Sequence, residues 1–271
     1  MIVDYHMHLR NPQEEIEFRA EAVERFVATA VRRGVDEIGF SEHVYYFRQT
    51  YDVWDLPYQV ERCVYDLDAY CETVLEAKRG GLPVKLGLEI DYVGARQEQL
   101  AELLAPYPFD FLLGSVHWID GLAVDQQPGI WAGRSADDVW GIYVDAVCAL
   151  AASGAVDVLA HLDLAKIFGQ RPAFGTAVVL HERLADAIAT AGVGVEISTA
   201  GLRKPVGELY PDYGLLRACQ KGGVPITLAS DAHVPALVGQ DFDAALELAR
   251  DAGCETVTVF DSRVGRQEPL G

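Results

Sequence analysis

A short apolar or β-branched run followed by a longer stretch of helical periodicity recurs along this chain, and that repeat limits its fold more than any other feature. The strand candidates are residues 1–5, 35–40, 84–88, 109–115, 156–160, 193–197 and 226–229. Helical patterns fill the intervals, among them 15–33, 58–79, 136–152, 176–191 and 213–221. Glycine marks most returns from helix to strand, at Gly34, Gly80-Gly81, Gly154, Gly192 and Gly222-Gly223. Just past a helix it takes a left-handed backbone without a Cβ clash. Strands that are apolar almost throughout need cover on both faces, which implies a parallel sheet wrapped by helices. Seven units suit a closed or nearly closed α/β barrel. A doubly wound open sheet is the alternative, because closure leaves no mark in a sequence.

The 271 residues contain no tandem repeat, low-complexity tract or Ser/Pro-rich linker, so one domain over 1–271 is expected. Half of the chain is hydrophobic, enough for a sizeable core. No apolar run reaches the roughly 18 residues of a membrane span. The opening Met1-Ile2-Val3-Asp4-Tyr5-His6 lacks the basic and apolar regions of a signal peptide, and a cytoplasmic location is expected. The cysteines Cys63, Cys71, Cys148, Cys219 and Cys254 are odd in number, scattered, and form no CxxC pair. Neither a disulfide framework nor a thiolate zinc site is indicated. With 22 basic and 41 acidic residues the net charge is −19, which repels nucleic acid and anionic membranes. It also repels a phosphate ester, unless bound cations reverse the local sign.

Each strand candidate ends in unusual polar residues. The first runs into Asp4-Tyr5-His6-Met7-His8, the second into Ser41-Glu42-His43, the third into Glu89-Ile90-Asp91 and the fourth into Ser115-Val116-His117. The fifth gives His161-Leu162-Asp163, the sixth Glu196-Ile197-Ser198 and the seventh Ser230-Asp231-Ala232-His233. Six of the 7 histidines therefore lie at a strand's carboxyl end; His181, inside a helical pattern, does not. In a barrel of parallel strands these ends share one rim, where such folds place their chemistry.

His6 and His8 alternate by two, so on a strand both imidazoles face the same way. Imidazoles beside carboxylates suit zinc, iron or manganese. Glu89, His117, His161 and Asp231 supply more ligands than one tetrahedral ion needs, so two or three ions are expected. Such sites stabilise the attacking and leaving oxygens of a phosphoryl displacement.

The ordered set of motifs resembles the PHP (polymerase and histidinol phosphatase) superfamily and, within it, the monofunctional histidinol-phosphatases. The pieces are Asp4-Tyr5-His6-Met7-His8, Phe40-Ser41-Glu42-His43, Gly87-Leu88-Glu89-Ile90-Asp91-Tyr92 and Gly114-Ser115-Val116-His117. They continue with Ala160-His161-Leu162-Asp163, Gly201-Leu202-Arg203-Lys204-Pro205 and Ser230-Asp231-Ala232-His233. The resemblance implies a distorted (β/α)7 barrel with the active site at the C-terminal ends of the strands, and a trinuclear centre. His6, His8, Glu89 and Asp231 would bind one ion; Glu89, bridging, with His117 and His161 would bind a second. His43 and His233 would hold the third with a residue from the loop after His8, a place that in this chain falls to Glu14 or Glu15. Arg203 would grip the substrate phosphate, with Lys166 and Lys204 as secondary candidates. A metal-bridging hydroxide would attack phosphorus, and Asp231 or a metal-bound water would protonate the leaving alkoxide. His233 joins Asp231 and Arg203 among the catalytic candidates.

Other polar residues carry two readings each. Glu42, on the opposite face from His43, reads as structural or as an orienting partner of a ligand. Asp4 either orients an imidazole or pairs at the base of the barrel. Asp163 and Glu196 are ligand partners or substrate contacts, and Ser198 and Ser230 are small residues where strands crowd or substrate contacts. The aromatic-rich segment 44–54 either covers the substrate or packs on helices. The leading functional reading is hydrolysis of L-histidinol phosphate to L-histidinol and phosphate. Against it stand a phosphoesterase for a nucleotide or phosphotyrosyl protein, and a non-catalytic metal-binding module. The expected partner is a small phosphorylated substrate, with neither nucleic acid nor membrane; no oligomeric state is read from the sequence.

Overall fold

The computed structural model describes residues 1–9, 18–127 and 129–271. All seven strand candidates are present: β1 (Val3–Asp4), β2 (Glu37–Phe40), β3 (Val84–Asp91), β4 (Phe111–Ser115), β7 (Val158–Leu159), β8 (Gly194–Ser198) and β9 (Ile226–Ala229). They form one sheet in that order, each pair of neighbours parallel. Strand β3 runs on through Glu89 and Asp91 because β4 pairs with its second half, from Gly87 opposite Phe111 to Asp91 opposite Ser115.

Closure decides between the two α/β architectures. The Tyr5 amide donates to the Leu228 carbonyl at 3.1 Å, His8 donates to Ala232 at 2.8 Å and Ala232 donates to His6 at 3.2 Å. The first strand thus returns to the last, and the sheet is a nearly closed barrel rather than an open doubly wound one. Its lower interior is filled by aromatic rings: Tyr5 stacks on Phe111 at 5.0 Å, and Phe260 lies 6.1 Å from Tyr5. Glycine on the neighbouring strands makes that filling possible. A Cβ at Gly87 would stand 2.3 Å from the Phe111 ring, and one at Gly39 would stand 2.6 Å from it. Gly87→Ala therefore overpacks a filled core, and we expect a loss of about 1–3 kcal/mol in urea unfolding; an unchanged midpoint would show that Phe111 yields freely.

The helices cover the outside. They are α1 (Ala20–Arg32), α2 (Pro57–Val60), α3 (Leu67–Arg79), α4 (Gln97–Leu104), α5 (Ala136–Ala152), α6 (Phe174–Ala191), α7 (Tyr213–Lys221) and α8 (Phe242–Ala252). Three caps follow the usual chemistry: Asp66, Ser135 and Asp212 each accept an amide of the following turn at the starts of α3, α5 and α7. The continuous helix expected over 58–79 is two helices. The amides of Val64 and Tyr65 both donate to the Tyr46 carbonyl, tying the intervening turn to the aromatic segment, and Asp66 starts α3 afresh. The helix expected over 15–33 begins at Ala20; its first three residues lie outside those described. No described helix is long and apolar enough to cross a membrane.

Two antiparallel hairpins complete the described chain: β5 (Trp118–Ile119) with β6 (Leu122–Ala123), and β10 (Thr256–Asp261) with β11 (Val264–Pro269). The second carries Phe260 beneath the barrel, and the Phe260 amide donates to the Tyr5 hydroxyl at 3.4 Å. The first springs from the end of β4, on the opposite rim.

Candidate metal centre

The rim at the carboxyl ends of the strands gathers six histidines. Beyond β1 the backbone stays extended, held by a parallel bridge from Met7 to Ala232, so His6 and His8 face inward on either side of the buried Met7. His43 follows β2 and is bridged to Glu89 on β3. His117, His161 and Asp231 each stand two residues past the end of their strand. His161 and Asp231 both hold left-handed backbones, with φ of 58° and 51°. That conformation is costly for a residue with a Cβ and concentrates where a site demands a particular side-chain direction.

Glu89 is the hub. Its Oε1 lies 3.1 Å from His161 Nε2 and 3.6 Å from both His6 Nε2 and His117 Nε2. Its Oε2 lies 2.5 Å from His43 Nδ1 and 3.9 Å from His8 Nε2. Asp231 reaches the same group from β9, 3.4 Å from His8 Nε2 and 3.8 Å from His6 Nε2. The His8 ring lies between those of His43 and His233, with centroids 4.3 and 4.2 Å away.

A second ring of acids stands behind the imidazoles. His6 Nδ1 faces Glu196 at 2.9 Å, His8 Nδ1 faces Glu42 at 3.1 Å, and His117 Nδ1 faces Asp91 at 2.8 Å. An imidazole that gives its Nδ1 proton to a carboxylate presents Nε2 as a lone pair, the usual arrangement of a metal-binding histidine. The Nε2 atoms of His6 and His8 are buried and have no hydrogen-bond partner.

Electrostatics point the same way. Burial alone would push the carboxyls of Glu89 and Asp231 up. The imidazoles around them overcome it and hold both well below the usual range, His43 and His117 acting most on Glu89 and His6 and His8 on Asp231. Two imidazoles respond in kind: against the effect of burial, the Asp231 and Glu42 carboxylates lift His8 to about 9, and the charges of Asp91 and Glu89 lift His117 to about 10, whereas burial and neighbouring imidazoles lower His43 and His233. This concentration of buried negative charge needs positive charge beside it. Divalent ions would supply it and release the protons held on the imidazoles.

Four groups offer three ligand atoms within 4.8 Å of one another: His6 with His8 and Asp231, His6 with Glu89 and His161, His8 with His43 and His233, and His43 with Asp91 and His117. With its lone pairs and paired outer acids, this donor set fits divalent ions. The grouping differs from the expected partition: His117 stands with His43 and Asp91 rather than with Glu89 and His161, and His6 rather than His117 joins Glu89 and His161. His8 stands with His43 and His233, at the place assigned to the loop after His8. Glu14 and Glu15, the candidates for that place, lie outside the described residues.

The PHP domain family matches residues 4–200. The chain belongs to the PHP family. A probable histidinol-phosphatase of Deinococcus radiodurans is 33% identical over 86% of this chain and 88% of its own length. The histidinol-phosphatase of Bacillus subtilis is 24% identical over 84% and 92%. In fold, the chain is similar to the Lactococcus lactis histidinol phosphate phosphatase crystallised with zinc, L-histidinol and phosphate. The TM-score is 0.75 at 19% identity, covering 98% of both chains.

The residues expected to contact substrate divide. Arg203, in the turn after β8, donates through Nη1 to the Thr199 carbonyl at 3.3 Å and through Nη2 to the Ser230 carbonyl, one residue from Asp231. Its fork is held beside the cluster with N–H donors to spare. Lys166 has no such freedom. It is wholly buried, its ammonium 2.7 Å from Asp163 and 2.6 Å from the Leu209 carbonyl. Lys204 is exposed. Ser230 is buried, its amide donating to Asp4 at 2.8 Å, while Asp4 also accepts the Gly239 amide at 2.9 Å. Asp4 thus ties the last strand's exit to the first strand. Asp163 pairs with Lys166 and the Asp212 amide, away from the imidazoles. His181 lies on α6, beside Gly214.

A cavity of about 260 Å³ opens onto the cluster through His43, His117 and His233. These are more exposed than His6 and His8, which are 1% and 0% exposed. Tyr45 and Tyr46 of the aromatic segment form part of its wall, while Phe47, Val53 and Trp54 are buried in the core. The segment therefore contributes both to that wall and to the core. Asp91 is the acid that the sequence reading passed over, although it shares a strand face with Glu89 two residues away.

Proposed function

We propose that this PHP barrel is a metal-dependent phosphatase that hydrolyses L-histidinol phosphate to L-histidinol and phosphate. The carrying observation is the convergence of six histidines, Glu89 and Asp231 on one buried rim that opens into a small-molecule cavity. The relatives named above, which match most of the chain, supply the substrate. His6, His8, His43, Glu89, His117, His161, Asp231 and His233 would hold two or three ions, with zinc, manganese or iron suited to the donors. Such ions would neutralise phosphoryl charge and make water a competent nucleophile near pH 7.

The chain's own residues complete the chemistry. Glu196, Glu42 and Asp91 fix the imidazole rings of His6, His8 and His117. Arg203 places a guanidinium where it can bind a non-bridging phosphoryl oxygen and orient the ester. Water adds oxygen to phosphorus, the ester P–O bond breaks, and the departing alkoxide takes a proton. Asp231, 3.4 Å from His8 Nε2 and 3.8 Å from His6 Nε2, is assigned to the ligand set. His233 lines the cavity at the point where ligand and cluster meet.

The test is a steady-state panel with the full chain reconstituted in zinc or manganese. Turnover of histidinol phosphate should exceed that of nucleoside monophosphates and a phosphotyrosyl peptide by about 10²-fold or more in kcat/KM, and chelation should abolish it. Preference for a nucleotide or phosphopeptide would remove the substrate assignment. Bound ions without turnover of any phosphoester would support the non-catalytic reading.

A further inference from the structure

The hairpin β5–β6 turns the chain immediately after His117 and brings it back over the same residue. Val124 donates its amide to the His117 carbonyl at 2.8 Å, so Asp125 leaves the hairpin directly beside that histidine. Asp125 and Gln126 then form the outer edge of the cavity whose floor is His43, His117 and His233. Between floor and edge the wall is aromatic: Tyr45, Tyr46, Tyr58 and Trp118, with the Tyr58 and Trp118 rings 5.0 Å apart.

Among the described residues, and apart from the histidines of the floor, Asp125 is the one ionisable acid or base of conventional charge lining this cavity. It makes no ion pair with any described residue, whereas Asp55, Asp120 and Asp145 along the neighbouring groove are paired with Arg96, Arg134 and Arg183. The cavity is thus two-ended. A cluster suited to cations and phosphate lies at the bottom, flat rings line the middle, and an exposed carboxylate paired with no described lysine or arginine stands at the mouth. A ligand complementary to it carries a phosphate at one end, an aromatic or apolar body, and a positive charge that meets the carboxylate.

Resting on the phosphatase reading above, we propose that Asp125 is the specificity residue of this site, selecting phosphomonoesters whose alcohol carries an ammonium group. The carboxylate accepts a hydrogen bond from that ammonium while the wall rings flank the rest of the alcohol. Asp125 takes no part in the bond-breaking step. Its effect is to favour aminoalcohol phosphates over neutral or anionic ones in a protein whose overall charge of −19 gives the phosphate itself no help.

The measurement is a preference ratio in the zinc-loaded full chain: kcat/KM for histidinol phosphate divided by kcat/KM for its deamino analogue, 3-(imidazol-4-yl)propyl phosphate. Asp125→Asn should lower the ratio about tenfold, the loss of one charge-assisted hydrogen bond at a partly solvated position, and Asp125→Lys should lower it further. A second arm separates this from the choice of natural substrate. Phosphoethanolamine and ethyl phosphate compete against turnover of p-nitrophenyl phosphate, and only phosphoethanolamine should bind about tenfold more weakly to Asp125→Asn. Equal changes for both members of either pair, or none, would overturn the assignment. If wild-type protein fails to turn over histidinol phosphate, the proposed function falls, and the competition arm still decides the role of Asp125.

Discussion

Glu89→Gln should lower kcat/KM for histidinol phosphate by about 10³-fold or more, the largest single loss the site predicts. The substitution keeps the size of the side chain and removes one charge. That charge stands within 3.9 Å of nitrogens from five histidines, those at positions 6, 8, 43, 117 and 161, contributed by four different strand ends. An amide oxygen is a far weaker ligand, and its NH₂ group would face lone pairs where the carboxylate faced cations or protons. Because the residue touches more than one of the candidate ligand groups, its loss should lower the number of ions retained as well as the rate. Elemental analysis of the purified variant beside steady-state kinetics checks both. A variant with full metal content and kcat/KM within a few-fold of wild type would remove Glu89 from the centre of the account.

Arg203→Ala should come next, with kcat/KM down about 10²- to 10³-fold. Metal content should remain unchanged, since Arg203 is no ligand. Its signature is weaker binding of inorganic phosphate as a product inhibitor, because the guanidinium is assigned to the phosphoryl oxygens. Lysine should not restore the activity. Arg203 spends part of its fork on Thr199 and Ser230, and a single ammonium cannot hold those carbonyls and an anion together. If phosphate inhibits the alanine variant as strongly as it inhibits the wild type, Arg203 acts only to brace the ends of β8 and β9.

The barrel and its rim were legible in the sequence because they depend on local pattern. Apolar runs announce buried parallel strands, and a histidine or acid just past such a run must lie near the rim whatever the rest of the chain does. Partnerships across the fold were not legible. Nothing in the pattern of 58–79 says that Val64 and Tyr65 will give their amides to Tyr46 and split the helix. Lys166 reads as a free cation three residues from Asp163, and only the fold shows Leu209 arriving to complete its burial. Asp125 carries no periodic signal, and its place above His117 comes from the pairing of a two-residue hairpin. The strand Thr256–Asp261, by contrast, alternates polar and apolar residues and could have been read. Its partner Val264–Pro269 is largely exposed and gives no such alternation.

The most direct measurement is anomalous diffraction at the zinc edge from crystals of the full chain grown with zinc. Two or three peaks are expected, each within bonding distance of nitrogens or oxygens from His6, His8, His43, Glu89, His117, His161, Asp231 and His233. No peaks on that rim, or peaks confined to other parts of the surface, would contradict the proposed metal centre.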